Sequence, residues 1–195
     1  MRIFASIAVA VLFLFLLASP SHAQSVEIFG GYSFVRPSVT YSQTPQGTCV
    51  ITGCVTTTTK QNLNFNGFEV SGAFKVLGPL ALAADYGDTS GSFRGANTHL
   101  RTVLVGPQLR FPGPISPFAH FLVGAAHEST NSTTGPVITA SPTETGFATT
   151  LGGGLDLKVL PLLSVRPIQV DYLLTHFNSA TQNQFRFSAG VVLRF

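Results

Sequence analysis

A chain of 195 residues carries charge at only 10% of its positions, against about 25% in an average soluble domain, while hydrophobic residues make up an ordinary 45%. Nineteen Gly, twelve Pro, seventeen Phe and no Trp go with a formal net charge of +3. The length suits one domain. The composition excludes intrinsic disorder, a coiled coil and a charge-covered helical enzyme, and the small scattered charge carries no nucleic-acid signal.

The first residues read as a secretory leader. Met1-Arg2 supplies a positive start, Ile3 to Ala18 an apolar run, and Ser21-His22-Ala23 a small-x-small end. Cleavage after Ala23 is expected, leaving 24–195 as the mature domain. After that point no run of 18 apolar residues remains, so no spanning helix is expected there. Cys49 and Cys54 lie four residues apart in a Ser/Thr/Gln-rich stretch. In an exported chain that pair predicts a small disulfide closing a loop tip.

Period-two alternation then recurs. It predicts strands over Val26–Arg36, Phe65–Val76, Leu80–Gly87, Leu100–Phe111, Ser116–Glu128, Phe147–Val159, Val165–Phe177 and Gln184–Phe195. One face of each is apolar. The other is rich in Gly, Ala and Ser, with sparse charges: Glu27, Glu69, Asp85, Arg110, Asp156, Lys158, Asp171 and Arg186. The connections alternate in length. Leu77-Gly78-Pro79, Pro112 to Ile115 and Leu160 to Leu163 are short, whereas Pro37–Asn64 and Ser129–Thr145 are long and polar. Asp88 to His99 reads as a further polar loop.

Short turns on one side and long loops on the other are the pattern of an all-β, eight-stranded antiparallel up-and-down transmembrane β-barrel. A soluble barrel would carry a denser Lys/Glu surface than these faces supply. Phe34, Tyr86, Phe111, Phe118, Phe147, Phe177, Phe185 and Phe195 near strand ends suggest aromatic girdles. Eight strands leave an interior just wide enough for side chains, so the eight charges are expected to pair inside a packed polar core. Lys75, Arg166 and Arg194 are expected near the short-turn interface, able to snorkel.

The last strand carries the most specific resemblance. Phe187, Ala189, Val191, Leu193 and a final Phe195 alternate, and Gln169-Val170-Asp171-Tyr172 precedes them. In these features the chain resembles the small eight-stranded outer-membrane β-barrel family of the OmpA/OmpX type. That resemblance implies the outer membrane of a Gram-negative bacterium, lipid as surroundings, and recognition of those five residues by the barrel-assembly machinery. No cofactor and no enzymatic activity are expected. A monomer with a structural or surface-interaction role (adhesion or protection) through extracellular loops is the main expectation. A narrow porin-like channel and a soluble periplasmic ligand-binding barrel are the alternatives.

Other candidate chemistry is weak. Some eight-stranded barrels are lipid A deacylases with a His and a Ser separated by one residue. His176 and Ser179 are separated by two. His120 and Glu128 are eight apart on one face, roughly 27 Å along a strand, too far for a dyad. Gly152-Gly153-Gly154 lacks the Lys-Ser/Thr and the helix of a phosphate loop, so packing or strand bending accounts for it better.

Overall fold

The computed structural model describes residues 26–43, 49–50, 53–54, 57–62, 64–93, 96–132, 143–177 and 180–195 (backbone alone for 37–43, 49–62, 93, 96, 130–132 and 180). The leader expected over 1–23 lies outside the described residues. In chain order the strands are β1 (Val26–Gln43), β2 (Cys49–Val50), β3 (Gly53–Cys54), β4 (Thr57–Asn62), β5 (Phe65–Leu77) and β6 (Leu80–Phe93). Then follow β7 (Ala96–Arg110), β8 (Ile115–Ser132), β9 (Thr143–Lys158), β10 (Leu163–Phe177) and β11 (Ala180–Arg194).

Each of β5 to β10 pairs antiparallel with the next, and β1 pairs with both β5 and β11, at Gly30↔Val70 and Gly30↔Val191. The result is a closed eight-stranded barrel. Its seam is tied at the short-turn end by Val26 N–H donating to Phe195 O at 3.1 Å and Phe195 N–H to Val26 O at 2.9 Å. Closure leaves the barrel no unpaired edge, which a bilayer demands of any β-structure crossing it. β4 pairs with Ser38–Gln43 of β1, extending that hairpin away from the short turns.

Which face is buried decides the class. Leu151 is 62% exposed, Val103 60%, Phe147 57% and Phe121 49%, whereas Glu69, Asp156 and Asp171 are fully buried. In water this arrangement would forfeit the hydrophobic contribution of every strand and add the cost of desolvating the charges. In lipid it is the stable one. The soluble-barrel alternative fails on this point. On β11 the outward row runs from Phe185 to Phe195. Ten residues at about 3.3 Å each, tilted about 40°, give an apolar band about 25 Å tall, the height of an outer-membrane barrel's belt.

Three expectations change. The strands at the long-loop end continue past the predicted ends: β6 reaches Phe93, β7 starts at Ala96, and Asp88 to His99 is a paired hairpin rather than a loop. Residues 88–99 are polar on both faces, so the alternation that marks a strand disappears while the ladder continues. Phe118 and Phe177 are buried inside and belong to no girdle, whereas Tyr86, Phe111, Phe147, Phe185 and Phe195 point outward. Arg166 is also inside, for a backbone reason. The β10 ladder slips between Val165 and Ile168, so Arg166 and Pro167 together oppose one residue of β9. That β-bulge reverses the facing of everything before it, turning Ser164 and Arg166 inward ahead of Gln169, Asp171 and Thr175.

Candidate functional site

The lumen holds three layers of side chains. At mid-depth, Arg186 is the hub. Its Nη1 donates to Asp85 Oδ1 at 2.8 Å and its Nε to Asp171 Oδ2 at 2.9 Å, with Glu69 Oε2 3.5 Å from Nε. Asp171 also receives Gln169 Nε2 at 2.8 Å and has His120 Nε2 at 2.9 Å. Glu69 accepts from Ser188 at 2.5 Å and from Gln169 Nε2 at 2.8 Å. A planar guanidinium with five donors can meet three carboxylates at once, which an ammonium on a flexible stem cannot do with the same geometry.

Toward the short turns lies a second cluster. Asp156 accepts from Arg110 at 2.6 Å, Arg166 at 2.8 Å and Arg194 at 3.0 Å. Glu27 bridges Arg110 at 2.7 Å and Arg194 at 3.2 Å. The Arg166 guanidinium is sandwiched between the Phe29 and Phe118 rings, 4.2 and 4.1 Å from their centroids. Stacking of this kind offsets part of the lost hydration of a buried cation. Gln169 ties the two clusters together, its Oε1 accepting from Arg166 at 2.7 Å while its Nε2 faces the acids. Those partners leave only one sensible amide orientation.

Toward the long loops the interior is mixed, with buried Thr89, Thr102, Thr150, Thr175 and Gln184 beside an apolar group. Leu100, Leu104, Leu122, Ala126, Ala148, Leu173 and Phe177 form one buried cluster with Ala83. The expected packed polar core is therefore ionic in its lower two layers and mixed above them, where aliphatic and aromatic groups pack beside threonines and Gln184.

Of the eight charges read from the sequence, Glu69, Asp85, Asp171 and Arg186 meet in the middle cluster, and Glu27, Arg110 and Asp156 in the lower one. Lys158 stands apart, exposed at the short-turn rim. Arg166, Arg194, Gln169, Ser188 and His120 complete the network. Even spacing from Asp171 and Arg186 puts Gln169 and Ser188 on the inner face. Two of Gln169's partners, Arg166 and Asp171, stand on its own strand, whereas Glu69 and the Asp171 that meets His120 come from other strands.

The Gly triplet has a packing role. A Cβ at Gly152 would fall on the Asp171 carboxylate, and one at Gly154 within 2.9 Å of the Phe118 ring. The small residues keep β9 clear of the groups that serve Arg186 and Arg166. Cys49 stands opposite Cys54 in the two-residue ladder of β2 and β3, their side chains lying outside the described residues. His176 Nδ1 is 2.9 Å from Thr181 Oγ1, and Ser179 lies outside the described residues. Among the described residues no group of three or more His, Cys, Asp or Glu is arranged to hold a metal ion.

These features define an eight-stranded barrel with a lipid-facing apolar wall and a filled, ion-paired interior. Solved structures share the fold. Neisserial surface protein A is 13% identical with a TM-score of 0.59, covering 88% of this chain and 97% of its own. The attachment invasion locus protein Ail of Yersinia pestis, in complex with the heparin analogue sucrose octasulfate, is 17% identical with a TM-score of 0.58 over 88% and 99%. Another Ail structure gives 15% and 0.54 over 88% and 98%. The fold is that of the small outer-membrane barrels, as the last strand suggested. No family model matches the chain, and no curated protein matches it in sequence.

Proposed function

We propose that the mature chain, 24–195, is a monomeric outer-membrane barrel of a Gram-negative bacterium that acts through its long-loop end as a structural or surface-interaction protein, without enzymatic activity or a conducting pore. The closed interior is the observation that carries this reading. Two ion clusters and, above them, a mixed layer of aliphatic groups and threonines occupy the lumen beyond the short-turn mouth, and water or ions could pass only by breaking buried pairs. In this reading residues 1–23 are removed on export, the short turns face the periplasm, and residues 37–64 and 129–145 face outward to an extracellular ligand. Phe187, Ala189, Val191, Leu193 and Phe195 form the assembly signal. Their shared outward face, open to a docking machine, supports that role. The register of Cys49 opposite Cys54 supports a disulfide at the loop tip.

Planar-bilayer recording of the refolded chain tests the central claim. No stable conductance is expected, and long-lived selective openings would replace this reading with the narrow-channel one. On intact cells, protease should cut within 37–64 and leave the barrel whole. A sulfated sugar, the kind of ligand bound to Ail, is the first probe for the outer end. Undiminished assembly in cells of a Phe195→Ala chain would remove the signal role, and free thiols at both cysteines in the exported protein would remove the disulfide.

A further inference from the structure

The lower rim has chemistry that ion pairing does not use. At the short-turn end a cavity of about 230 Å³ opens between the turns, lined by Glu27, Lys75, Arg110, Ser116, Lys158 and Arg194 among others. Four of these six side chains are cations, and Glu27 is the one carboxylate among them. Glu27 is already bridged by Arg110 and Arg194. Beneath it, Asp156 is shared by three arginines. Lys75 and Lys158 are exposed and, among the described residues, neither has a carboxylate within ion-pair distance.

Charge is therefore segregated along the barrel axis. The middle layer sets Glu69, Asp85 and Asp171 against Arg186, an excess of negative charge before His120 is considered. The lower layer sets Glu27 and Asp156 against Arg110, Arg166 and Arg194, and the two lysines add to that excess of positive charge. Facing matters as much as charge. Lys75 follows Glu69 at even spacing on β5, and Lys158 follows Asp156 on β9, so both stand on the lumen side of the rim. Neither is a lipid-side snorkelling residue, which corrects the expectation for Lys75. A concave mouth with low-dielectric walls concentrates such a field.

We infer that the short-turn mouth is a phosphate-binding site, with Lys75 and Lys158 as its free cations and Arg110 and Arg194 as its fixed wall. A tetrahedral oxyanion can meet several donors at once and suits a ring of cations better than a single pair. The phosphate could belong to a soluble phosphate ester or to a phospholipid headgroup bending over the rim. The inference rests on the barrel and its rim, and is independent of any role at the long-loop end.

The test uses the full mature barrel refolded in a phosphate-free detergent and titrated with inorganic phosphate under amide NMR. Shifts are expected at residues 75, 113, 116 and 158. In the Lys75→Ala/Lys158→Ala double variant, apparent affinity should fall about tenfold, the scale of two partly exposed ion pairs. Raising sodium chloride should weaken binding, because exposed pairs are screened. Both lysines are exposed, so an unchanged heat-shift on gels verifies that the variant is folded. A second arm places both proteins in nanodiscs containing phosphatidylglycerol. If the rim peaks are already displaced there, the displacement depends on the two lysines, and added phosphate moves them no further, the headgroup is the source. If phosphate still shifts them, the soluble ester is. No rim shift in either arm, equal shifts in the double variant, or an equal response to acetate overturns the inference.

Discussion

Replacing Arg186 by Met is expected to cost the barrel about 3–5 kcal/mol, more than any other single interior change. Arg186 is fully buried and lies against Asp85, Asp171 and Glu69, themselves buried. Removing it leaves three carboxylates in a closed space, Glu69 and Asp171 with Gln169, Ser188 and His120 as their remaining partners and Asp85 with none of these. Loss of one partner from a buried ion cluster costs far more than replacement of the whole cluster, because the surviving charges are left without compensation. Two controls separate this from simple loss of volume. Arg186→Lys keeps the charge but not the fork, and an intermediate cost is expected. Arg186→Met combined with Glu69→Gln, Asp85→Asn and Asp171→Asn should recover most of the loss. The chain has no Trp, so unfolding is followed by far-UV circular dichroism and by heat-shift on gels, in denaturant at fixed lipid or detergent. An Arg186→Met barrel within about 1 kcal/mol of the parent would show that the cluster is not under the electrostatic demand assigned to it.

Much of that cluster was visible in the sequence. Period-two alternation put Glu69, Asp85, Asp171 and Arg186 on one face of their strands, and barrel closure turns one face inward everywhere. What alternation could not supply was who meets whom. Asp85 and Arg186 are 101 residues apart, and Glu69 and Gln169 are 100 apart. Such contacts cross the lumen and depend on the stagger of all eight strands.

Arg166 was misplaced for a different reason. Counting by two from Gln169 assigns it outward, and only the extra residue at the Arg166–Pro167 bulge reverses it. Pro167, with no N–H to give, is a natural companion of such a bulge. Phe118 was misread as a girdle residue because aromatic character alone does not separate a lipid anchor from a platform for a buried guanidinium. The aliphatic cluster of the upper layer was hidden too. Leu104 sits on the predicted inner face, yet a lone Leu among small residues does not announce that Leu122, Leu173 and Phe177 converge on it.

The inversion of faces yields the second large expected effect. Phe121 lies midway along the outward row of β8, beside Leu151 of β9, and is 49% exposed, while the next residue, Leu122, is 1% exposed inside. In a water-soluble barrel Phe121→Arg would be close to neutral, since half-exposed surface positions tolerate charge. In lipid the guanidinium must enter the bilayer core, and Phe121→Arg is expected to destabilise by about 2–4 kcal/mol relative to Phe121→Ala. Depth provides the internal control. Phe111, 60% exposed beside the short turn, lies at the rim of the apolar band, and Phe111→Arg should cost only about 0–1 kcal/mol relative to Phe111→Ala. Snorkelling lets the Arg stem reach water from there but not from mid-band. Denaturant titration of the four variants in phospholipid vesicles reads both differences. Equal costs at Phe121 and Phe111, or none at either, would mean that this wall does not face lipid. A steep dependence on depth would locate the bilayer midplane on β8.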